Sequence, residues 1–356
     1  MIDPERSEAE PPGPGPGRTM VRACHFAVRV DGATAPHDTA HARLHYPAAP
    51  TGSDAERLTG ILAPERTAAP MPLVVLLPAV NVGSDTYRWL AVELVRRGYA
   101  AVTYDHVGEL MPGQVGLSPG IDLGALAPDS FGHRPSATAL GPLLAELAEI
   151  NAHGAMEGML DLSRLALGGH SAGGTVALEN ADPAWFDGVR AVFSYGSHTM
   201  PVAALGHGEG AVLPVGPVPA MIVAGDEDGV ILASADRYGS EPGDRSHSPV
   251  ARSFDDGIRE GVVGYEVILA GCNHLLVCDP PDPTSARGFL DAEPSTDPVV
   301  ARRAYMDLVV AFLDTHLAGH PGDASGRSTA TAGPLEVAAT SPVVASIRHK
   351  GLESPR

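Results

Sequence analysis

Leu73-Val74-Val75-Leu76-Leu77 places five consecutive apolar, partly β-branched residues between prolines. A half-exposed strand would alternate, so this run predicts a strand buried on both faces. Such a strand needs helices above and below it. The flanking sequence supplies them. Ser84 is a candidate N-cap, Tyr87, Leu90, Ala91, Leu94 and Val95 follow at helical spacing, and Gly98 closes the segment. The alternation then repeats. Strands are expected at Tyr99–Tyr104, Leu165–Gly168, Val189–Ser194, Ala220–Ala224 and Tyr265–Ala270. Helices are expected over Leu140–Ile150, from Ala172 to Leu178, and after Asp297-Pro298 up to about Gly319. Three earlier candidate strands, His25–Val30, Ala42–Tyr46 and Leu58–Leu62, have no helices between them. The order predicts an α/β chain with a mostly parallel central sheet and helices on both faces. In such sheets the reacting groups sit at the carboxyl ends of the strands.

The organisation is that of one domain, about 21–320. Residues 1–20 are rich in Pro, Gly and Glu and read as a disordered tail, and 321–356 read as mostly disordered. Val343–Ile347 is the one stretch of that second tail with strand character. The Gly- and Pro-rich connection 107–135 is long for a βα loop and is a candidate lid or pocket wall. A net charge of −19 argues against a general nucleic-acid surface and against anionic membranes. The longest apolar run, Pro72–Val80, is far shorter than a membrane helix. The first twenty residues lack the apolar stretch of a secretory signal. Three cysteines make no disulfide scaffold. A cytoplasmic location is expected.

Gly169-His170-Ser171-Ala172-Gly173 fits G-x-S-x-G, and its setting matters more than the pattern. It directly follows one expected strand and directly precedes an expected helix, which is the strand–turn–helix of a nucleophile elbow. Without chemistry it would be a Gly-rich βα turn. A serine nucleophile needs a base, and the base needs an orienting acid, in the chain order Ser, Asp, His. The strand Ala220–Ala224 runs into Gly225-Asp226-Glu227-Asp228, and Tyr265–Ala270 into Gly271-Cys272-Asn273-His274. His274 is the candidate base, His247 lying inside a polar loop. Asp228 is preferred as the acid, with Asp226 as the alternative; the latter would otherwise serve as a turn residue. An oxyanion hole needs two backbone N–H donors. Ala172 supplies one, and Val80 is the candidate for the other, with the Asn81 side chain as an alternative donor.

Leu73–His106, Leu160–Leu178, the GDED segment and the GCNH segment, taken together and in this order, resemble the α/β-hydrolase fold over roughly residues 60–317. Within it they are most similar to the dienelactone hydrolase, chlorophyllase and cutinase-like polyester-hydrolase branch. The resemblance implies a carboxylic ester or lactone hydrolase with Ser171, Asp228 and His274 as its triad and the Val80 and Ala172 N–H groups as its oxyanion hole. It implies no cofactor, no metal and a small-molecule ester or lactone as partner; the oligomeric state is not implied. Dienelactone hydrolases themselves use a cysteine where this chain has Ser171. The stretch Ser194–His198 lacks the tryptophan of polyester hydrolases.

The same triad would serve an acyltransferase or cyclase of specialised metabolism, or an amidase, and a non-catalytic ligand-binding protein could share the scaffold. Cys272, His274 and Cys278 match no standard zinc spacing, and a Cys272–Cys278 disulfide would need an oxidising compartment. His198 is a candidate pocket residue. Asp279, Asp282, Asp291 and Asp297 read as solvated turn residues. Tyr87 belongs to the core stripe of its helix, whereas Trp89 falls off that stripe and is expected at a pocket rim or contact surface.

Overall fold

A computed structural model describes residues 19–111, 113–233, 248–317 and 333–352. Most of the N-terminal tail, His247, Gly319 and the first part of the C-terminal tail lie outside these residues. The described strands are β1 (Val21–Arg29), β2 (Thr39–Pro47), β3 (Met71–Leu77), β4 (Ala100–Met111), β5 (Gln114–Leu117), β6 (Leu160–His170), β7 (Val189–Tyr195), β8 (Ala220–Gly225), β9 (Gly264–Leu269) and β10 (Val344–Lys350). The α-helices are α1 (Asp54–Thr59), α2 (Arg88–Arg96), α3 (Leu140–Ala152), α4 (Ala172–Asn180), α5 (Gly229–Leu232), α6 (Pro249–Arg252), α7 (Pro298–His316) and α8 (Pro334–Thr340).

One sheet runs β1-β2-β4-β3-β6-β7-β8-β9-β10, with β5 folded back on β4. From β4 through β9 every neighbouring pair on this path is parallel, while β1, β2 and β10 pair antiparallel at the two sides. β3 lies inside the sheet with both faces covered, as its unbroken apolar run predicts. Leu73, Val75 and Leu77 join one core with Leu140, Leu143 and Leu147 of α3 and Val176 and Leu178 of α4. Val74 and Leu76 point the other way, into a second core with Leu90 and Leu94 of α2 and Leu308 and Phe312 of α7. The two helical layers therefore separate residue by residue along one strand. Among the described residues no helix is long and apolar enough to cross a membrane.

Several expectations are corrected. Leu58–Leu62 is not a strand. Asp54–Thr59 forms α1 because the Ser53 hydroxyl accepts the Glu56 N–H, the Glu56 carboxylate returns to the Thr51 and Gly52 N–H groups, and Gly60 ends the turn in the left-handed region. Leu58 is left 87% exposed, so its apolar side chain specifies nothing. Ser84 does not cap α2. It opens a 3₁₀ turn, Ser84–Tyr87, and gives both its N–H and its hydroxyl to the Asp105 carboxylate at 2.8 and 2.7 Å. Within the C-terminal tail, the described residues 333–352 form α8 and β10. α8 packs on α7, and β10 pairs with β9. Arg348 fixes β10 through the buried carboxylate of Glu266, a 2.9 Å bond to Asp255 and the face of Phe254. The connection 107–135 begins as a hairpin, β4 continuing outward to Met111 and returning as β5.

Candidate active site

Ser171 sits between β6 and α4 with φ 52° and ψ −124°, a conformation that non-glycine residues seldom adopt. The turn is this tight because its glycines touch main chain. A Cβ on Gly173 would stand 2.3 Å from the Leu77 carbonyl oxygen, and one on Gly169 would stand 2.4 Å from that of Gly173. Bonds to the next strand hold the strained residue in place. The Ser171 N–H donates to the Tyr195 carbonyl at 2.9 Å, and the Ser197 hydroxyl donates to the Ser171 carbonyl at 2.9 Å.

His274 follows β9 and Asp228 follows β8. Their side chains meet at 2.8 Å, His274 Nδ1 to Asp228 Oδ2, with both residues almost fully buried. The second carboxylate oxygen of Asp228 accepts the Ile231 N–H and caps α5. Asp226 points elsewhere. Its Oδ1 accepts the Gly271 N–H at 2.7 Å and ties the β8 and β9 loops together. Ser171 shares this buried corner, but its hydroxyl makes no hydrogen bond to the His274 ring. Contacts of that kind often close only around a substrate.

The loop after β3 brings Val80 to the same end of the sheet. The amides on either side are occupied: Ala79 N–H donates to the Tyr87 hydroxyl at 3.1 Å and Asn81 N–H to the Leu117 carbonyl at 2.9 Å. The bonds of the described residues leave the Val80 and Ala172 N–H groups open. Asn81 has φ 55°, and its Oδ1 accepts the Leu117 N–H at 3.0 Å. That bond holds the side-chain oxygen on β5, so the hairpin sets the shape of the loop that carries Val80, while the Asn81 NH2 group is not part of it.

Asp291, expected as a solvated turn residue, is instead part of the site. This half-buried carboxylate accepts the N–H groups of His274 and Leu275, each at 3.0 Å, and of Gly229 at 3.1 Å. Burial raises its pKa against those bonds. Only its place in the chain marks it, and its partners other than the neighbouring Ala292 lie 16 to 62 residues away. Trp89 is half-buried and donates from Nε1 to the Val277 carbonyl at 2.9 Å, so it fastens the segment after His274 instead of facing solvent. His198 is buried, accepts the Met200 N–H, and is pushed down to about 4 by burial, so its ring is neutral at pH 7.

Cys24, Cys272 and Cys278 are free thiols. Burial pushes Cys272 and Cys278 up to about 12, so neither supplies a thiolate beside Ser171. Among the described residues no group of three or more His, Cys, Asp and Glu side chains could hold a metal ion. A cavity of about 440 Å³ opens behind Asp228, lined by Ile231, Val250, Ile268 and Arg348 among others; neither Ser171 nor His274 borders it.

No protein-family model matches the chain, and no curated protein matches it. Among solved structures it is similar to the ferulic acid esterase from Streptomyces cinnamoneus. The TM-score is 0.54 at 17% identity, over 89% of this chain and 95% of that one. An identity this low speaks for the fold alone. With the parallel sheet, the two helical layers and the strand–Ser171–helix turn already described, the chain adopts the α/β-hydrolase fold.

Proposed function

We propose that the protein is a serine hydrolase that cleaves a carboxylic ester or lactone. The observation that carries this reading is the buried 2.8 Å bond between His274 and Asp228 at the strand ends beside the strained Ser171. Ser171 attacks the acyl carbon while His274 Nε2 takes the hydroxyl proton. Asp228 holds Nδ1–H, fixing the tautomer that leaves Nε2 free, and stabilises the imidazolium that forms. The tetrahedral oxyanion is held by the N–H groups of Val80 and Ala172, the latter at the start of α4, where the helix dipole favours negative charge. His274 then protonates the leaving alcohol. A water activated by the same imidazole attacks the acyl-enzyme and releases the acid.

The fold likeness to a ferulic acid esterase supports ester chemistry in general terms. The occupied amides of Ala79 and Asn81 support Val80 as the second oxyanion donor. The test is intact-mass spectrometry after treatment with a small fluorophosphonate. One adduct is expected on the wild type and none on Ser171→Ala. A folded wild-type protein that takes no adduct would remove the case for an activated serine.

A further inference from the structure

His170 stands between Gly169 and Ser171, and the reaction just described gives it no task. Yet its ring is almost fully buried, and both nitrogens are engaged. Nε2 lies 2.9 Å from the carbonyl oxygen of His274. Nδ1 lies 3.0 Å from the Tyr87 hydroxyl, with the Cys278 sulfur farther off at 3.9 Å. Tyr87 in turn accepts the Ala79 N–H at 3.1 Å. The His170 and His274 rings also pack together, their centroids 4.9 Å apart.

For a neutral ring, these contacts favour one arrangement of protons. A carbonyl oxygen only accepts, so Nε2 carries the hydrogen. The Tyr87 oxygen receives the Ala79 N–H and turns its own hydrogen toward Nδ1, which in a neutral ring is an acceptor. Burial disfavours the charged ring and pushes the His170 pKa well below the ordinary histidine range.

We propose that His170 is a positioning residue: as a neutral Nε2–H imidazole it ties the main chain of His274 and, through Tyr87, the loop that carries Val80 to the residue next to Ser171. This rests on the serine-hydrolase reading. The elbow is the most constrained turn of the site, so it is a natural reference point for the other two loops. His274 is held by its carbonyl through His170, by its N–H through Asp291 and by its ring through Asp228. The Ala79 amide, one residue before Val80, is held from the same imidazole by way of one hydroxyl.

The test uses the full chain and two readouts. Imidazole ¹H–¹⁵N spectra of the wild type at neutral pH should show His170 protonated on Nε2 and bare on Nδ1. His170→Gln can present an N–H near the place of Nε2, whereas His170→Asn reaches only the place of Nδ1. The Gln variant should keep the fluorophosphonate labelling rate of Ser171 within about three-fold. The Asn variant should slow it roughly ten- to hundred-fold, with kcat for an ester falling and KM little changed. A ring protonated on Nδ1, an imidazolium, or an Asn variant that labels as fast as the wild type would overturn the proposal. Failure of the wild type itself to label would instead count against the serine-hydrolase reading, while the spectrum still reports the proton arrangement.

Discussion

Asp291 holds His274 by its main chain, Oδ1 accepting the His274 N–H at 3.0 Å. The same oxygen accepts the Gly229 N–H at 3.1 Å, one residue after Asp228. One carboxylate therefore sets the spacing of the two loops whose side chains meet at 2.8 Å. Asp291→Ala leaves four N–H groups short of an acceptor, those of Gly229, His274, Leu275 and Ala292, and should destabilise the fold by about 2–3 kcal/mol. Ester turnover should fall more than ten-fold. Asp291→Asn keeps one acceptor oxygen and should recover part of both, read by urea unfolding and by kcat/KM.

The reach of the sequence follows from this case. The βα alternation, the elbow and the loops holding Asp228 and His274 could be read because each is a local pattern: an unalternating run, a glycine at a tight turn, a strand ending in polar residues. Asp291 has no local pattern, since its partners are brought to it by the fold. Trp89 looked like a rim residue because helical spacing says which way a side chain leaves the helix, not what a distant turn offers it. Leu58–Leu62 failed for the opposite reason. Its apolar residues resemble an edge strand, but the Ser53–Glu56 cap is the stronger local signal, and no neighbouring strand is there to compete. Strand β10 was only half visible, as what recommends it, Arg348 against Glu266, lies across 82 residues.

Asp228 and Asp226 separate cleanly by substitution. Asp228→Asn keeps the volume but favours the wrong imidazole tautomer, and kcat should drop by a factor on the order of 10⁴. Asp226→Asn loosens a bond to Gly271 and should cost less than about ten-fold. Steady-state rates on one ester decide between them, and a larger loss at Asp226 would reverse the assignment.

Gly196 lies against the His274–Asp228 pair. It has φ +59°, and a Cβ there would stand 2.8 Å from His274 Nδ1 and 3.1 Å from Asp228 Oδ2. Gly196→Ala should cost about 1–3 kcal/mol in backbone strain. It should also displace the imidazole, so that kcat falls while the far-ultraviolet circular dichroism spectrum stays that of the wild type.

Glu179 of α4 is buried, its Oε2 lacks a partner among the described residues, and burial pushes its pKa up to about 8 from an ordinary 4.5. The folded chain keeps a proton there that the unfolded chain has lost. The contribution of Glu179 to stability therefore falls as pH rises from about 4.5 to about 8. Glu179→Gln should flatten that fall and gain on the order of a few kcal/mol at pH 8, measured as the shift in urea midpoint against pH.

Buried histidines act on the acid side. His45, His198 and His316 are each pushed down to about 4 by burial, so the folded chain keeps them neutral while the unfolded chain protonates them below about 6.5. Stability from these groups is present above that value and is lost as pH falls toward 4. His45→Asn, which keeps a donor toward the Ala101 oxygen, should make the loss between pH 6.5 and 4 less steep in thermal melts.

Strand β10 closes the edge of β9 only after more than seventy intervening residues have been made. At translation speeds of about 5–20 residues per second, that edge stays bare for several seconds while the rest of the sheet can already assemble. An open edge invites pairing with other nascent chains, and β9 is the strand that leads into His274. The newborn protein thus passes through an interval in which the strand leading to its candidate base is also the one most open to mispairing.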